Sequence, residues 1–242
     1  MDKIKQLKDI INNSNNIVFF GGAGVSVASG LKDFRSKDGL YNMKYPYPPE
    51  EILSHHFFVN NTSEFYKFYR KMLNTKGIEP NIVHKYLTKL ENNNKLKAII
   101  TQNIDNLHTL AGSKNVLELH GNINRNYCIK CNKFYDGNYI FNSKKDDEIP
   151  KCECGGIIKP DVVLYEEELD YDTLSNSIKA ISEADTLIVA GTSLNVYPAA
   201  GLIRYFRGNN LIIINKDITS YDSIANLVIN DDLKKVFNEL DA

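Results

Sequence analysis

No cysteine stands before Cys128 or after Cys154 in this 242-residue chain, and its four cysteines all fall between those two positions. A disulfide framework would spread them through a small secreted chain, so clustering points to a metal instead. An excess of either charge is also missing. The 29 Lys and Arg balance 30 Asp and Glu to a formal net charge of -1. That argues against a dedicated nucleic-acid binder, which usually carries a strong basic excess. No long apolar run follows a basic start, so no signal peptide is expected. Nor is any stretch long and apolar enough to span a bilayer. The expectation is a cytoplasmic protein with no membrane partner and no direct nucleic-acid partner. Internal repeats and low-complexity tracts are absent too. The asparagine-rich stretches INNSNN, ENNN and RGNNL read as turns and loops.

What is present is ordinary for a globular chain: 43% apolar and 24% charged residues. The length suits one large α/β domain, or one domain with a small insert. Short β-branched apolar runs recur at 17–20, 98–101, 116–119, 162–165, 186–190, 211–215 and 227–229. Continuous apolar strands are what a sheet buried on both faces requires. Helical patterns lie between them, at 63–73, 81–90, 172–184 and 198–205, and Ile4, Leu7, Ile10 and Ile11 share one helical face at the N-terminus. Strands alternating with helices predict βαβ units and a mostly parallel sheet. Two regions break the rhythm. Residues 31–49 are rich in Pro, Gly and Tyr and too long for an ordinary connection, which predicts a functional loop. Residues 121–159 hold every cysteine and read as a small inserted module.

Within that module Cys128-x-x-Cys131 is followed by Cys152-x-Cys154. Paired thiolates at such spacing close a tetrahedral zinc site, and the metal would staple an insert too small to fold by burial alone. Four thiolates leave no open position, so no catalysis is expected at the metal. A redox dithiol is the competing reading, and it needs only one pair. The first strand runs into Gly21-Gly22-Ala23-Gly24-Val25-Ser26, a strand–small-residue–helix pattern that suits a phosphate. Val27 replaces the third glycine of a G-x-G-x-x-G, and the lysine of a P-loop is absent. No ribose-binding acid appears at the usual distance, which argues against a standard dehydrogenase. A tight turn packed on the sheet explains the glycines equally well.

Further strings follow in order: GAGVSVASGLKDFRS, TQNIDNLH, LELHG, the cysteine module, KPDVVLYEE, GTSLNVYPAAGL and IIIN. Together they resemble the sirtuin family, of bacterial type, over nearly the whole chain. The resemblance implies a Rossmann-like domain from 1–120 and 160–242, with a zinc-binding module at 121–159. Segment 31–80 would add the cofactor loop and small-domain helices. It also implies the chemistry: NAD-dependent deacetylation of acetyl-lysine in proteins or peptides, by a monomer. In that family the acetyl oxygen attacks the anomeric carbon of NAD and expels nicotinamide. A histidine then deprotonates a ribose hydroxyl, giving free lysine and O-acetyl-ADP-ribose. A neutral imidazole near its own pKa suits that proton transfer.

Carried over residue by residue, the resemblance makes His120 the base and gives Asn103 and Asp105 the nicotinamide pocket, flanked by Gln102 and Ile104. Both Asn103 and Asp105 could also cap a helix starting near Asn106. Gly22, Ala23, Gly24, Ser26, Val27, Gly191, Thr192 and Ser193 would contact phosphate or ribose. Asn215 would hold the adenosine ribose and Asp232 would reach the adenine. Phe34 and Arg35 belong to the loop that folds over the cofactor. A peptide would add as a strand between 163–165 and 195–197, with Val163, Tyr165 and Val196 at the substrate. Of the other histidines, His55, His56, His84 and His108, the last reads as packed or hydrogen-bonded inside the fold.

Departures from the family pattern are informative. Lys32 and Ser36 stand where proline and glycine are usual, and Tyr165-Glu166-Glu167 replaces Phe-Gly-Glu, adding charge beside the peptide groove. Desuccinylating sirtuins carry a Tyr-x-x-Arg pair. Here Tyr66 is followed by Tyr69, and Arg70 comes one step later, about 100° around a helix. Acetyl is therefore expected over succinyl. Transfer of ADP-ribose, removal of other acyl groups, and a non-catalytic NAD sensor remain alternative readings.

Overall fold

The computed structural model describes residues 2–32 and 45–242. Its N-terminal amphipathic segment forms α1 (Lys3–Asn13), which buries Leu7 and Ile11 and is capped by the Asp2 carboxylate. β1 (Ile17–Gly21) follows, then the single turn α2 (Gly24–Val27). Later in the chain come α3 (Pro49–Ile52), α4 (His55–Asn60), α5 (Thr62–Met72) and α6 (Ile82–Asn92). β2 (Leu96–Thr101), α7 (Leu107–Leu110) and β3 (Val116–Glu118) lead to β4 (Gly121–Cys128), β5 (Phe134–Asp136), α8 (Gly137–Phe141) and β6 (Ile158–Val162). The chain ends with α9 (Tyr171–Glu183), β7 (Thr186–Ala190), a 3-10 helix (Ala199–Tyr205), β8 (Asn210–Ile214), β9 (Leu227–Ile229) and α10 (Leu233–Asp241).

Among the described residues the large sheet has six parallel strands in the order β3-β2-β1-β7-β8-β9. Helices cover both faces, because β1 and β7 are buried at every position. Side chains alternate across a strand. Ile17 and Phe19 therefore enter one core with Leu7, Val83, Leu87 and Phe237, while Val18 and Phe20 enter another with Ile181, Leu202 and Ile203. This is an α/β, Rossmann-like architecture.

A second, antiparallel sheet, β5-β4-β6, carries the cysteines. It packs on α3–α5 through an aromatic core of Phe57, Phe58, Phe65, Tyr66, Phe68 and Tyr69 against Ile123, Ile158 and Leu164. Arg70 is consumed in this packing. Its Nε donates to the Ile140 carbonyl at 2.8 Å and one Nη to the Asp146 carbonyl at 2.6 Å. The guanidinium also lies 5.1 Å from the Tyr66 ring centroid, while the Tyr66 hydroxyl donates to the Ile158 carbonyl.

One sequence expectation is corrected. The run 162–165 is not a strand of the large sheet. β6 belongs to the small sheet and stops at Val162. Beyond it the backbone turns to other partners: Val163 N–H donates to the His120 carbonyl at 3.0 Å, and Tyr165 N–H to the Leu53 carbonyl at 2.9 Å. The helix foreseen at 198–205 is a 3-10 helix.

His108 is packed inside, as its sequence context suggested, but neither ring nitrogen has a hydrogen-bond partner among the described residues. It contacts His84 at a centroid distance of 4.7 Å and the edge of Phe19 at 6.2 Å. Burial lowers the pKa of His84 to about 4 and that of His108 to about 3, where the neighbouring His84 adds to the effect, from an ordinary 6.5. The unfolded chain gains these protons as pH falls below 6.5 while the folded one refuses them, so stability is lost on acidification. The midpoint of urea unfolding should fall steadily between pH 7 and pH 4, and His108→Phe should flatten that fall. An unchanged slope in the variant would contradict the assignment.

Candidate active site

In the large sheet the strand order reverses between β1 and β7. Such a switch point opens a crevice at the carboxyl ends of the strands, where open α/β sheets take their ligands. Two loops meet there. Gly24 N–H donates to the Gly191 carbonyl at 2.8 Å and Gly22 N–H to the Ala190 carbonyl at 3.2 Å. A Cβ on Gly24 would come 2.7 Å from Gly191 Cα, and one on Gly22 2.7 Å from Thr192 Cβ. These glycines are thus required by the approach of one loop to the other, in line with the packed turn that the sequence allowed, although it could not name the neighbours. α2 ends at the half-exposed Val27, so no third glycine is needed. Thr192 Oγ1 accepts from Gln102 Nε2 at 3.1 Å and from Leu194 N–H at 3.2 Å, while Ser193 is exposed.

Ser26, buried in α2, donates its hydroxyl to Asp105 Oδ2 at 2.6 Å and accepts from Asn103 Nδ2 at 3.0 Å. Asp105 Oδ1 accepts from Leu107 N–H at 2.9 Å, so this residue also caps α7. Asn103 does not cap it. Burial raises the Asp105 pKa and the nearby Glu118 charge adds to this; the bonds from Ser26 and Leu107 work in the opposite direction. A buried carboxylate and an amide are thus held together through the Ser26 hydroxyl.

His120 follows β3. Its Nδ1 lies 2.9 Å from the Gln102 carbonyl oxygen, which can only accept. The proton is therefore on Nδ1 and the lone pair on Nε2, which has no hydrogen-bond partner among the described residues. Burial lowers the His120 pKa, partly offset by the Gln102 bond. The ring is neutral at pH 7 and able to accept a proton. Its own carbonyl accepts from Val163 N–H at 3.0 Å, which sets the imidazole in register with 163–165. Next comes Gly121, at φ +78°, where a Cβ would collide with the Asp161 carbonyl.

Val163 is half-buried and Tyr165 is 39% exposed. The latter forms a parallel bridge with Ser54 and its carbonyl accepts from His55 N–H at 2.9 Å. Glu166, at φ +76° where glycine is at ease, directs its carboxylate to His56 N–H at 2.9 Å. Glu167 accepts from Lys159 at 2.9 Å, Leu164 N–H at 3.0 Å and His55 Nδ1 at 2.8 Å. Val196 is half-buried before the 3-10 helix, its carbonyl accepting from Ala200 N–H. Ile104 is half-buried against the aromatic core.

The remaining sequence candidates lie farther out. Asn215, just past β8, donates to the Asp217 carbonyl at 2.8 Å. Asp232 is committed to α10, accepting from Lys234 N–H at 2.9 Å, with Lys216 Nζ at 3.4 Å from its other oxygen. Phe34 and Arg35 lie outside the described residues.

The four cysteine sulfurs lie within 4.8 Å of one another, with separations of 3.4, 3.5 and 3.6 Å along three edges. Sulfurs about 2.3 Å from a zinc ion in a tetrahedron are about 3.8 Å apart, so the set fits zinc. Gly156 makes room for it: a Cβ there would lie 2.6 Å from Cys128 Sγ.

Sequence reasoning missed Glu118, Asn122 and Arg125, which bracket His120. Asn122 Nδ2 donates to Glu118 Oε1 at 2.6 Å, and Arg125 Nη1 to Glu118 Oε2 at 2.6 Å. A charged residue ending an apolar strand, two positions before the histidine, was the available signal.

Gly121→Ala should lower activity by about 100-fold, the scale on which a displaced reacting group slows catalysis. Cysteine-bound zinc content should stay normal; an active Ala variant would refute the role assigned to this turn.

Residues 22–198 match the model of the Sir2 family. The NAD-dependent protein deacetylase of Clostridium acetobutylicum is 61% identical over 98% of this chain and 97% of its own length. The enzyme of the same name from Clostridium perfringens is 58% identical over 99% and 98%. A solved Sir2 structure with a p53 peptide and NAD+ superimposes with a TM-score of 0.86 at 37% identity, covering 98% of this chain and 96% of that one. With the parallel sheet, the thiolate cluster and the histidine at the junction all in place, the chain belongs to the Sir2 family.

Proposed function

We infer that this protein is an NAD-dependent protein-lysine deacetylase that yields nicotinamide, free lysine and O-acetyl-ADP-ribose. The observation that carries this is the His120 imidazole. Its proton is held on Nδ1 by the Gln102 carbonyl, its Nε2 has no partner among the described residues, and its backbone is bonded to Val163.

NAD, when bound, supplies an anomeric carbon with nicotinamide as leaving group. The crevice at the switch point suits it. Gly22 and Ala23, then Gly24, Ser26 and Val27 of α2, and Gly191, Thr192 and Ser193 of the facing loop would contact it, with Gln102 and Ile104 alongside. The Asp105 carboxylate, oriented by Ser26 and Leu107, would accept from a carboxamide and favour positive charge on a neighbouring sugar. Asn103 would share that site. Phe34 and Arg35 would close over it, and Asn215 would hold the adenosine ribose. Asp232, whose side chain is half exposed with one oxygen capping α10, would reach the adenine. His120 Nε2 takes a proton from a sugar hydroxyl and then carries it as an imidazolium, which the Gln102 carbonyl stabilises.

The acyl-lysine peptide would pair with 163–165 and 195–197, placing Val163, Tyr165 and Val196 along the lysine. Zinc on Cys128, Cys131, Cys152 and Cys154 is structural, because four thiolates fill its coordination. The division into 1–120 and 160–242 with an inserted 121–159 module fits this arrangement, although β6 carries the small sheet to Val162. No helix among the described residues is long and apolar enough to cross a membrane. A monomer in the cytoplasm, acting on acylated proteins without direct nucleic-acid contact, is the reading that charge and family favour.

Purified protein should release nicotinamide and deacetylated peptide together, only when NAD is present. His120→Ala should slow this by about 100- to 10,000-fold, the usual contribution of a positioned base. Deacetylation without NAD, or an unimpaired variant, would defeat the assignment. Mass spectrometry of the nucleotide product separates deacylation from ADP-ribosyl transfer to protein.

Acyl preference follows from Arg70. With its guanidinium bound to the Ile140 and Asp146 carbonyls, it is committed away from any acyl carboxylate. Acetyl-lysine should turn over at least about tenfold faster than succinyl-lysine, since a carboxylate entering without a cation is heavily penalised. Faster desuccinylation would contradict this.

A further inference from the structure

We propose that Arg125 is a positioning residue that locks the nicotinamide loop, the His120 turn and the substrate segment into one register. The proposal rests on the deacetylase reading and adds to it a residue outside the reacting groups.

β4 does not pair regularly with β6. Asn122 faces Asp161 and Asn126 faces Pro160, so Ile123, Asn124 and Arg125 have no backbone ladder partner on β6. Bulges of this kind re-aim side chains beside active sites. Three segments meet on this one. Ile123 N–H donates to the Ile104 carbonyl at 3.0 Å, and Asn122 Nδ2 to Asn106 Oδ1 at 2.9 Å, which ties down the loop carrying Asn103 and Asp105. Arg125 Nη1 donates to Glu118 Oε2 at 2.6 Å and its Nε to Asp161 Oδ2 at 2.7 Å. Glu118 stands two residues before His120, and Asp161 two residues before Val163. The guanidinium thus bridges the two strands that arrive at the His120–Val163 hydrogen bond. Behind the bulge, Gly137 leaves no space to retreat: a Cβ there would lie 2.5 Å from Asn124 Oδ1.

Exposed ion pairs contribute little, but this one differs in burial. The Glu118 side chain is only 10% exposed, against 38% for Arg125 and 39% for Asp161. Two carboxylates converge on a single planar fork, which fixes direction as well as charge. Partial burial penalises the Arg125 charge, yet the bonds to Glu118 and Asp161 outweigh it and hold the guanidinium protonated. Without the cation, two like charges would face each other across the junction. One of them is nearly buried and within electrostatic reach of Asp105.

The test compares Arg125→Leu, Arg125→Lys and the double variant Glu118→Gln/Arg125→Leu with the wild type. Melting temperature and bound zinc are measured beside the kinetics. Arg125→Leu should lower kcat per folded molecule by about 10- to 100-fold, the scale of an ångström-sized misplacement. Lys should recover part of the loss. Glu118→Gln should restore activity of the Leu variant at least about fivefold, because the uncompensated buried carboxylate is then gone. Independently of catalysis, amide exchange at Val163 should quicken about tenfold in Arg125→Leu, since the bond to His120 opens more often. If the wild type does not deacetylate, the functional reading fails while the exchange measurement still judges the positioning role. Unchanged exchange at Val163 would overturn the proposal. So would wild-type kcat in Arg125→Leu, or a folded double variant no better than the single one.

Discussion

The turn from His120 into Gly121 is the constraint on which the site depends. At φ +78° the backbone passes so close to the Asp161 carbonyl that no side chain fits. That approach lets the chain leave the large sheet, enter the small one, and still bond the His120 carbonyl to Val163. The His120–Gly121 peptide group therefore lies at the passage from one sheet to the other. The imidazole above it inherits the position of each. Its tautomer is fixed from a third direction by the Gln102 carbonyl, so the lone pair of Nε2 is set by backbone alone.

Burial acts on three histidines with different results. At His84 and His108 the imidazoles are enclosed, close to each other, and nearly without hydrogen bonds, which drives both pKa values far down. Their chemistry is spent on keeping a core neutral. His120 is also pushed down by burial, but a carbonyl accepts from its ring and it remains partly accessible. What separates His120 from the two packed histidines is one backbone acceptor and partial exposure. Asp105 shows the same balance with the opposite charge: burial disfavours the carboxylate while Ser26 and Leu107 support it.

The small sheet is held from two sides. Thiolates gather at one end at separations suited to zinc, and an aromatic core joins the sheet to α3–α5. Arg70 closes this joint by donating to carbonyls of α8 and the following loop. A charged side chain of α5 is thereby turned into a structural tie. Glu166 is a comparable case. It occupies a backbone conformation that suits glycine, and its carboxylate accepts from the His56 N–H in the first turn of α4.

The sequence by itself determined most of the large sheet, the cysteine set and the candidate histidine. Strand runs such as 186–190 and 227–229 are local patterns, legible because a buried parallel strand must be apolar at every position. The cysteines and the LHG string are equally local. Tertiary structure alone decided what joins distant residues, because such contacts leave no mark on their neighbours in sequence. Ser26 bonds to Asp105 across 79 positions, and Arg125 to Asp161 across 36. The same holds for the glycine loop, whose close approach to Gly191 and Thr192 only the folded chain reveals. The run 162–165 shows the limit most clearly. Its apolar pattern is that of a strand, but the partner at Val163 is the His120 carbonyl, and only the folded chain brings the two together.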